Sequence, residues 1–166
     1  MRPSATNQYH LTTLWQLDAP LETVWDVITH PERWPDWWAG AESVVALDAG
    51  DPDGIGARQH YTWKGRLPYR LRFTSCVTRV ERHRLLEARV VGEVEGIGRW
   101  HFAFRDGMTI LRYEWLVSTR PLWMNLLAPL ARPVFRWNHD ALMRAGGVGL
   151  ARHVCARLHC HETRSS

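Results

Sequence analysis

The stretch GRWHFAFRDGMTILRYEWLVST, residues 98–119, decides the fold class. Asp106-Gly107 is a two-residue turn signal, because a tight hairpin of the favoured hand needs left-handed backbone at both central residues. Before the turn, Trp100, Phe102 and Phe104 alternate with Arg99, His101 and Arg105. After it, Leu111, Tyr113, Trp115 and Val117 alternate with Arg112 and Glu114. Alternation on both arms describes an antiparallel pair with one dry face and one wet face.

The same period extends outward. Upstream, residues 69–81 place Tyr69, Leu71, Phe73, Ser75 and Val77 opposite Arg70, Arg72, Thr74 and Thr78. A further strand follows the Arg82-His83-Arg84 turn, with Leu86, Ala88, Val90 and Val94 facing in. Gly96 and Gly98 read as a break or bulge before the next one. Residues 56–64 alternate with Tyr61 and Trp63 on one face, and Asp51-Pro52-Asp53-Gly54 is a strong turn after a short strand at 42–48. Residues 8–17 put Tyr9, Leu11, Thr13, Trp15 and Leu17 on one face. Helical spacing is confined to two places. Leu21, Val24, Trp25 and Ile28 follow Pro20, and Pro31 limits that helix to about Thr29. Residues 31–38 add a short helical turn or two, and residues 133–158 read as one long helix starting at Pro133.

The reading is therefore α+β: a curved seven-stranded antiparallel sheet with two short helices, wrapped around a long C-terminal helix. It forms one domain over residues 1–166, with a core of about 8–158 and a tail at 159–166. One helix cannot fill the concave side of such a sheet, so a closed cavity is expected between them.

Composition narrows the function. Of 166 residues, 45% are hydrophobic and 23% charged, which fits a folded globular domain and not a disordered chain. No apolar run approaches the ~20 residues that span a bilayer, and no signal segment precedes the first strand, so a cytoplasmic location is expected. The formal charge is +4, but the 21 basic residues are scattered along the chain. Nucleic-acid binders concentrate charge in a stripe or tail, so no nucleic-acid partner is expected. No phosphate-binding loop or dinucleotide fingerprint is present, and no cofactor is expected. Cys76, Cys155 and Cys160 are an odd number, against a disulfide framework. His153, Cys155, His159, Cys160 and His161 resemble a metal site in composition, but they crowd one helix end, whereas a structural zinc needs four ligands from separate elements. No metal is expected.

Ten tryptophans remain to be explained. They supply flat, weakly polar area suited to a core or to the walls of an organic-ligand pocket. The inward face offers Tyr61, Trp63, Phe73, Trp100, Phe102, Tyr113 and Trp115, with Ser75 as a polar member. On the long helix, Phe135, His139, Leu142, Gly146, Leu150 and Val154 fall within about a third of the circumference. His139 is either a core histidine or a cavity group. Asn138, on the shoulder of the stripe, either orients a ligand or caps a loop. Gly146, Gly147 and Gly149 either admit close backbone approach or leave space beneath the helix. Lys64, the sole lysine, is either a Schiff-base former or a solvated rim residue; that it alternates away from Tyr61 and Trp63 and abuts Gly65 favours the rim.

Three functions compete. The chain binds a small hydrophobic or aromatic molecule, or it is an enzyme in which His139 and Tyr113 move protons. Alternatively, the apolar run at 121–132 touches a membrane or partner, without stable insertion, or, as the preferred reading, forms a lid over one mouth of the cavity. No pattern in the sequence sets the oligomeric state.

Several stretches resemble the SRPBCC superfamily, with its START/Bet v 1 helix-grip fold, and within it the bacterial polyketide cyclase/dehydrase-like group. They are Ala19-Pro20-Leu21-Glu22-Thr23-Val24-Trp25-Asp26-Val27, Trp34-Pro35-x-Trp37-Trp38, and Gly54-Ile55-Gly56-Ala57. Leu67-Pro68-Tyr69, Gly96-x-Gly98-x-Trp100-x-Phe102 and Phe135-Arg136-Trp137-Asn138-His139-Asp140 complete the set. The resemblance covers about residues 8–158. It implies a cavity with a hydrophobic cargo such as a lipid or polyketide and, if the chain is an enzyme, cyclisation or dehydration with His139 and Tyr113 transferring protons; it carries over no catalytic motif.

Overall fold

The computed structural model describes residues 8–120 and 128–166. In chain order the elements are β1 (Gln8–Leu17), α1 (Leu21–Ile28), a 3-10 helix (Pro31–Asp36), β2 (Ala41–Asp48), β3 (Arg58–Lys64) and β4 (Arg70–Glu81). Then follow β5 (Leu85–Gly92), β6 (Val94–Arg105), β7 (Met108–Thr119), the long helix α2 (Ala128–His153) and β8 (Leu158–Ser165). The fold is α+β, a large antiparallel sheet curved about one long C-terminal helix. Its strand order is β2-β3-β4-β5-β6-β7-β1-β8.

The deciding hairpin forms as its residues dictate. Asp106 and Gly107 have φ of +53° and +76°, the left-handed pair that such a turn requires. Arg105 and Met108 close the ladder, and Trp100 lies opposite Tyr113. β6 runs unbroken through Gly96 and Gly98, which corrects the expected break. These glycines clear space instead. A Cβ at Gly98 would lie 2.9 Å from the Tyr113 hydroxyl and 3.2 Å from the Trp115 ring.

The sheet has eight strands, not seven. Residues 159–166, expected as a tail, mostly form β8, which pairs antiparallel with β1. The long helix stops at His153 because Cys155 takes a left-handed φ of +55°. Its N–H bonds to the Arg152 carbonyl, and the Ala156 N–H reaches back to the Ala151 carbonyl at 2.8 Å, closing a Schellman cap. Glycine usually marks that position, so the sequence carried no stop signal. At the other end α2 begins at Ala128 and Pro133 lies inside it. The proline deletes one helix hydrogen bond without ending the helix. Beyond it, Phe135 packs edge-on to Tyr9, their ring centroids 5.9 Å apart.

The C-terminal half of α2 rests on tryptophan. A Cβ at Gly146 would collide with the Trp38 indole, and one at Gly149 with the Trp37 carbonyl. At Gly147 it would come within 3.0 Å of Trp15 Nε1. The three glycines thus remove side chains where the helix must approach. Trp38 Nε1 donates to the Leu142 carbonyl at 2.8 Å, fixing the helix in register. β8 is tied to the same assembly. Trp15 Nε1 donates to His161 Nδ1 at 3.2 Å, so the His161 proton lies on Nε2, which faces Asp140 Oδ1 at 3.1 Å.

Candidate functional site

Between the middle of α2 and the sheet lies a cavity of about 650 Å³. Its outline is a closed circuit of six rings: Trp34, Tyr61, Phe73, Trp115, Tyr113, Trp100 and back to Trp34. Neighbouring centroids are between 4.3 Å (Trp100 to Tyr113) and 6.3 Å (Trp34 to Trp100) apart. Five of the six come from strands β3, β4, β6 and β7, where the period of two turns alternate side chains inward. Trp34 comes from the 3-10 helix, where it is buried together with Pro31. Trp63 also lines the space, edge-on to Trp38 at 5.0 Å. Leu142, Met143 and His139 close it from the helix side.

The polar groups of the inner wall are few and uncharged. On one wall the Ser75 hydroxyl donates to Gln59 Oε1 at 3.3 Å, next to the Tyr61 hydroxyl. Burial pushes Tyr61 well above the usual phenol range. Its bond with Ser75 partly offsets this, and the negative charge of Glu32 adds to it. Burial likewise holds Tyr113 well above the ordinary value, with Tyr61 adding to the effect. His139 is pushed down to about 4, chiefly because burial disfavours its cation; Asp140 opposes this and His161 adds to it. At pH 7 all three are neutral. His139 Nδ1 is buried with no hydrogen-bond partner among the described residues. A bare lone pair is tolerated there better than an orphaned N–H, which puts the proton on Nε2.

Not every candidate reaches the cavity. Phe102 does not line it; it packs on Trp25 at 4.8 Å and supports α1. Asn138 also lies outside, its Oδ1 accepting from the Arg66 N–H at 2.9 Å and clasping the Gly65 turn. Of its two readings, the loop cap is the one found. Lys64 is outside too, its Nζ donating to the Leu67 carbonyl at 3.0 Å. The expected closed cavity instead has a mouth. Exposed His30, Glu32, Asp48, Pro52 and Asp53 line it, where the end of α1 and the following turn face the β2–β3 loop. Gln59, Trp34 and Trp38 were not singled out as site residues. Gln59 was detectable, being in phase with Tyr61 and Trp63 on β3.

The apolar run at 121–132 falls largely outside the described residues. Within the described part, Leu130 is exposed and Arg132 donates to the Gln8 carbonyl at 2.9 Å. No helix among the described residues is long and apolar enough to cross a membrane. The cysteines and histidines near the C-terminus divide between the helix cap and β8. No three metal-capable side chains converge among the described residues.

A family model described as polyketide cyclase / dehydrase and lipid transport matches residues 9–156. Among solved structures, the di-domain aromatase/cyclase BexL from the BE-7585A biosynthetic pathway is 18% identical, with a TM-score of 0.72. The alignment covers 93% of this chain and 52% of that one, so the chain spans about half the length of that protein. The Zhui aromatase/cyclase from Streptomyces sp. R1128 is 16% identical with a TM-score of 0.66, over 89% of this chain and 96% of that one. A START superfamily protein from Mycobacterium smegmatis is 13% identical with a TM-score of 0.67, over 87% and 99%. At these identities the likeness is one of fold. No curated protein matches the sequence.

Proposed function

The chain belongs to the polyketide cyclase/dehydrase and lipid transport family, and from that premise we propose that it binds a small hydrophobic or aromatic molecule in the cavity between sheet and α2. The observation that carries the reading is the six-ring circuit around about 650 Å³. Flat rings offer dispersion and edge-to-face contacts to a planar ligand. Tyr113, Gln59 and His139 Nε2 orient it through hydrogen bonds. Such a balance of apolar wall and sparse polar groups is typical of small-molecule sites.

The test is direct. Small molecules extracted from purified protein and identified by mass spectrometry should include a stoichiometric aromatic or polyketide-like compound. Titrating that compound back should quench the tryptophan fluorescence, because six tryptophans line the cavity. Absence of any bound or quenching compound across an aromatic library would defeat the reading.

A second reading, cyclisation or dehydration, is favoured by the inward Tyr113 hydroxyl and the partly unpartnered His139. Their protonation limits the roles available. An imidazole titrating at about 4 is a weak base at pH 7, and a tyrosine held far above its ordinary value stays a donor. In this reading solvent at the mouth takes the α-proton that the flanking carbonyls of the substrate acidify, and the pair donates hydrogen bonds to the enolate oxygen so formed, as preorganised dipoles. Turnover of a poly-β-carbonyl probe, lost together in Tyr113→Phe and His139→Leu while binding persists, would establish it.

A further inference from the structure

The cavity has a one-sided charge. The chain carries 21 Lys and Arg against 17 Asp and Glu, yet no lysine or arginine lines the cavity. The formally charged groups that do line it are Glu32, Asp48 and Asp53, all at the mouth. Several carboxylates elsewhere are neutralised: Glu42 by Arg70, Glu87 and Glu114 by Arg99, Glu95 by Arg120. None of the three mouth carboxylates has an ion pair among the described residues. The nearest cations in sequence face elsewhere. Arg33 lines a separate small pocket with Trp37 and His153, and Arg58, opposite Asp48 in the ladder, does not line the cavity.

These charges stand before a cavity that already points buried polar groups at its contents, His139 and Tyr113 among them. Their field reaches the inner wall, since Glu32 opposes ionisation of Tyr61. Low-dielectric walls focus such a field toward the opening.

We propose that Glu32, Asp48 and Asp53 make the mouth a charge filter, so that the site takes neutral aromatic molecules and amines and discriminates against carboxylates. The inference rests on the binding function proposed above and deepens it. No inward lysine or arginine exists to receive a carboxylate head. An ammonium group left at the mouth would meet three unpaired carboxylates. Three exposed charges, screened at moderate salt, shift amine against acid by on the order of tenfold.

The experiment uses three matched probes: 2-(1-naphthyl)ethylamine, 2-(1-naphthyl)ethanol and 1-naphthaleneacetate. Each is titrated against the full chain at pH 7 and followed by tryptophan fluorescence. The expected order of affinity is amine, alcohol, acid, with about tenfold between the extremes. In the isosteric triple variant Glu32→Gln, Asp48→Asn, Asp53→Asn, the amine-to-acid ratio should fall toward one. Asp48 accepts the Gly50 N–H through Oδ1, a bond that asparagine can keep. Should the triple variant not fold, raising salt from about 10 mM to 500 mM on the natural chain must shrink the same ratio. If no probe binds, including the alcohol, the underlying binding function fails. If the alcohol binds but the amine and acid bind equally, or the acid binds better, the charge filter is refuted and the cavity stands.

Discussion

Replacing His139 by leucine tests the cavity's central polar group. The folded imidazole protonates only near pH 4 because burial disfavours its cation. An unfolded histidine protonates near 6.5. As acid is added, the unfolded chain therefore takes up this proton first. The site's contribution to stability is complete above about pH 7, erodes as pH falls from about 6.5 to 4, and changes no further below that. The whole gap corresponds to about 3 kcal/mol, of which about 2 kcal/mol is lost by pH 5. Leucine cannot titrate, and it fills similar volume beside Leu142 and Met143 without an orphaned nitrogen. Urea unfolding of both proteins, read by circular dichroism at pH 7.5 and pH 5.0, isolates the site, because the other histidines titrate in both chains. The natural chain should lose about 2 kcal/mol more than His139→Leu over that interval. Parallel losses in the two proteins would mean that His139 is solvated or paired, and the neutral-donor role would fall with it.

Other outcomes follow from the same geometry. Gly149→Ala should destabilise by about 1–3 kcal/mol in urea unfolding, since the added carbon meets the Trp37 backbone carbonyl, which cannot step aside. A gain, as the better helix propensity of alanine alone would give, would show that α2 is not seated there. Gly98→Ala should weaken binding of 2-(1-naphthyl)ethanol severalfold with a smaller effect on melting, because it intrudes on the Tyr113 hydroxyl and the Trp115 ring; unchanged affinity would place the ligand elsewhere. His161→Leu should cost about 1–3 kcal/mol by stranding the Trp15 N–H and removing one of the partners of Asp140. A variant as stable as the natural chain would show that β8 is not held through this histidine.

Much of the fold was legible because its strands are half-buried. β1 spans the residues its alternation marked, with Leu11, Thr13, Trp15 and Leu17 buried in turn. The Asp106-Gly107 turn was equally plain, since few residue pairs accept left-handed backbone twice. β8 was not legible for the converse reason. It is an edge strand whose inward members include His161 and Thr163, and Thr163 meets Thr13 across the ladder, hydroxyl to hydroxyl at 3.3 Å. Polar residues satisfied by polar partners leave no hydrophobic period to read. The left-handed Cys155 hid the helix end in the same way. In the site, alternation separated inward from outward but not cavity from core. Phe102 and Phe73 look alike in sequence, and only the position of Trp25 makes one a support and the other a wall.

The distribution of tryptophan explains how a small domain keeps a cavity open. A cavity of this size forfeits contacts that a packed core would supply, so the rest of the domain must hold the helix without help from that region. It does so at one end. Trp15, Trp37 and Trp38 form a dense bed for the glycine-bearing half of α2, with Trp15 to Trp38 at 5.5 Å and Trp37 stacked on Trp38 at 5.4 Å. The stretch of helix just before the glycines then overhangs the sheet, and His139, Leu142 and Met143 meet the cavity. Trp38 belongs to both regions: its ring bears on Gly146, its N–H holds the Leu142 carbonyl, and its edge meets Trp63 at the cavity wall. A change that loosens Trp38 should therefore lower stability and ligand affinity together, whereas changes at Phe73 or Trp115 act at the wall of the cavity and should be felt first in binding.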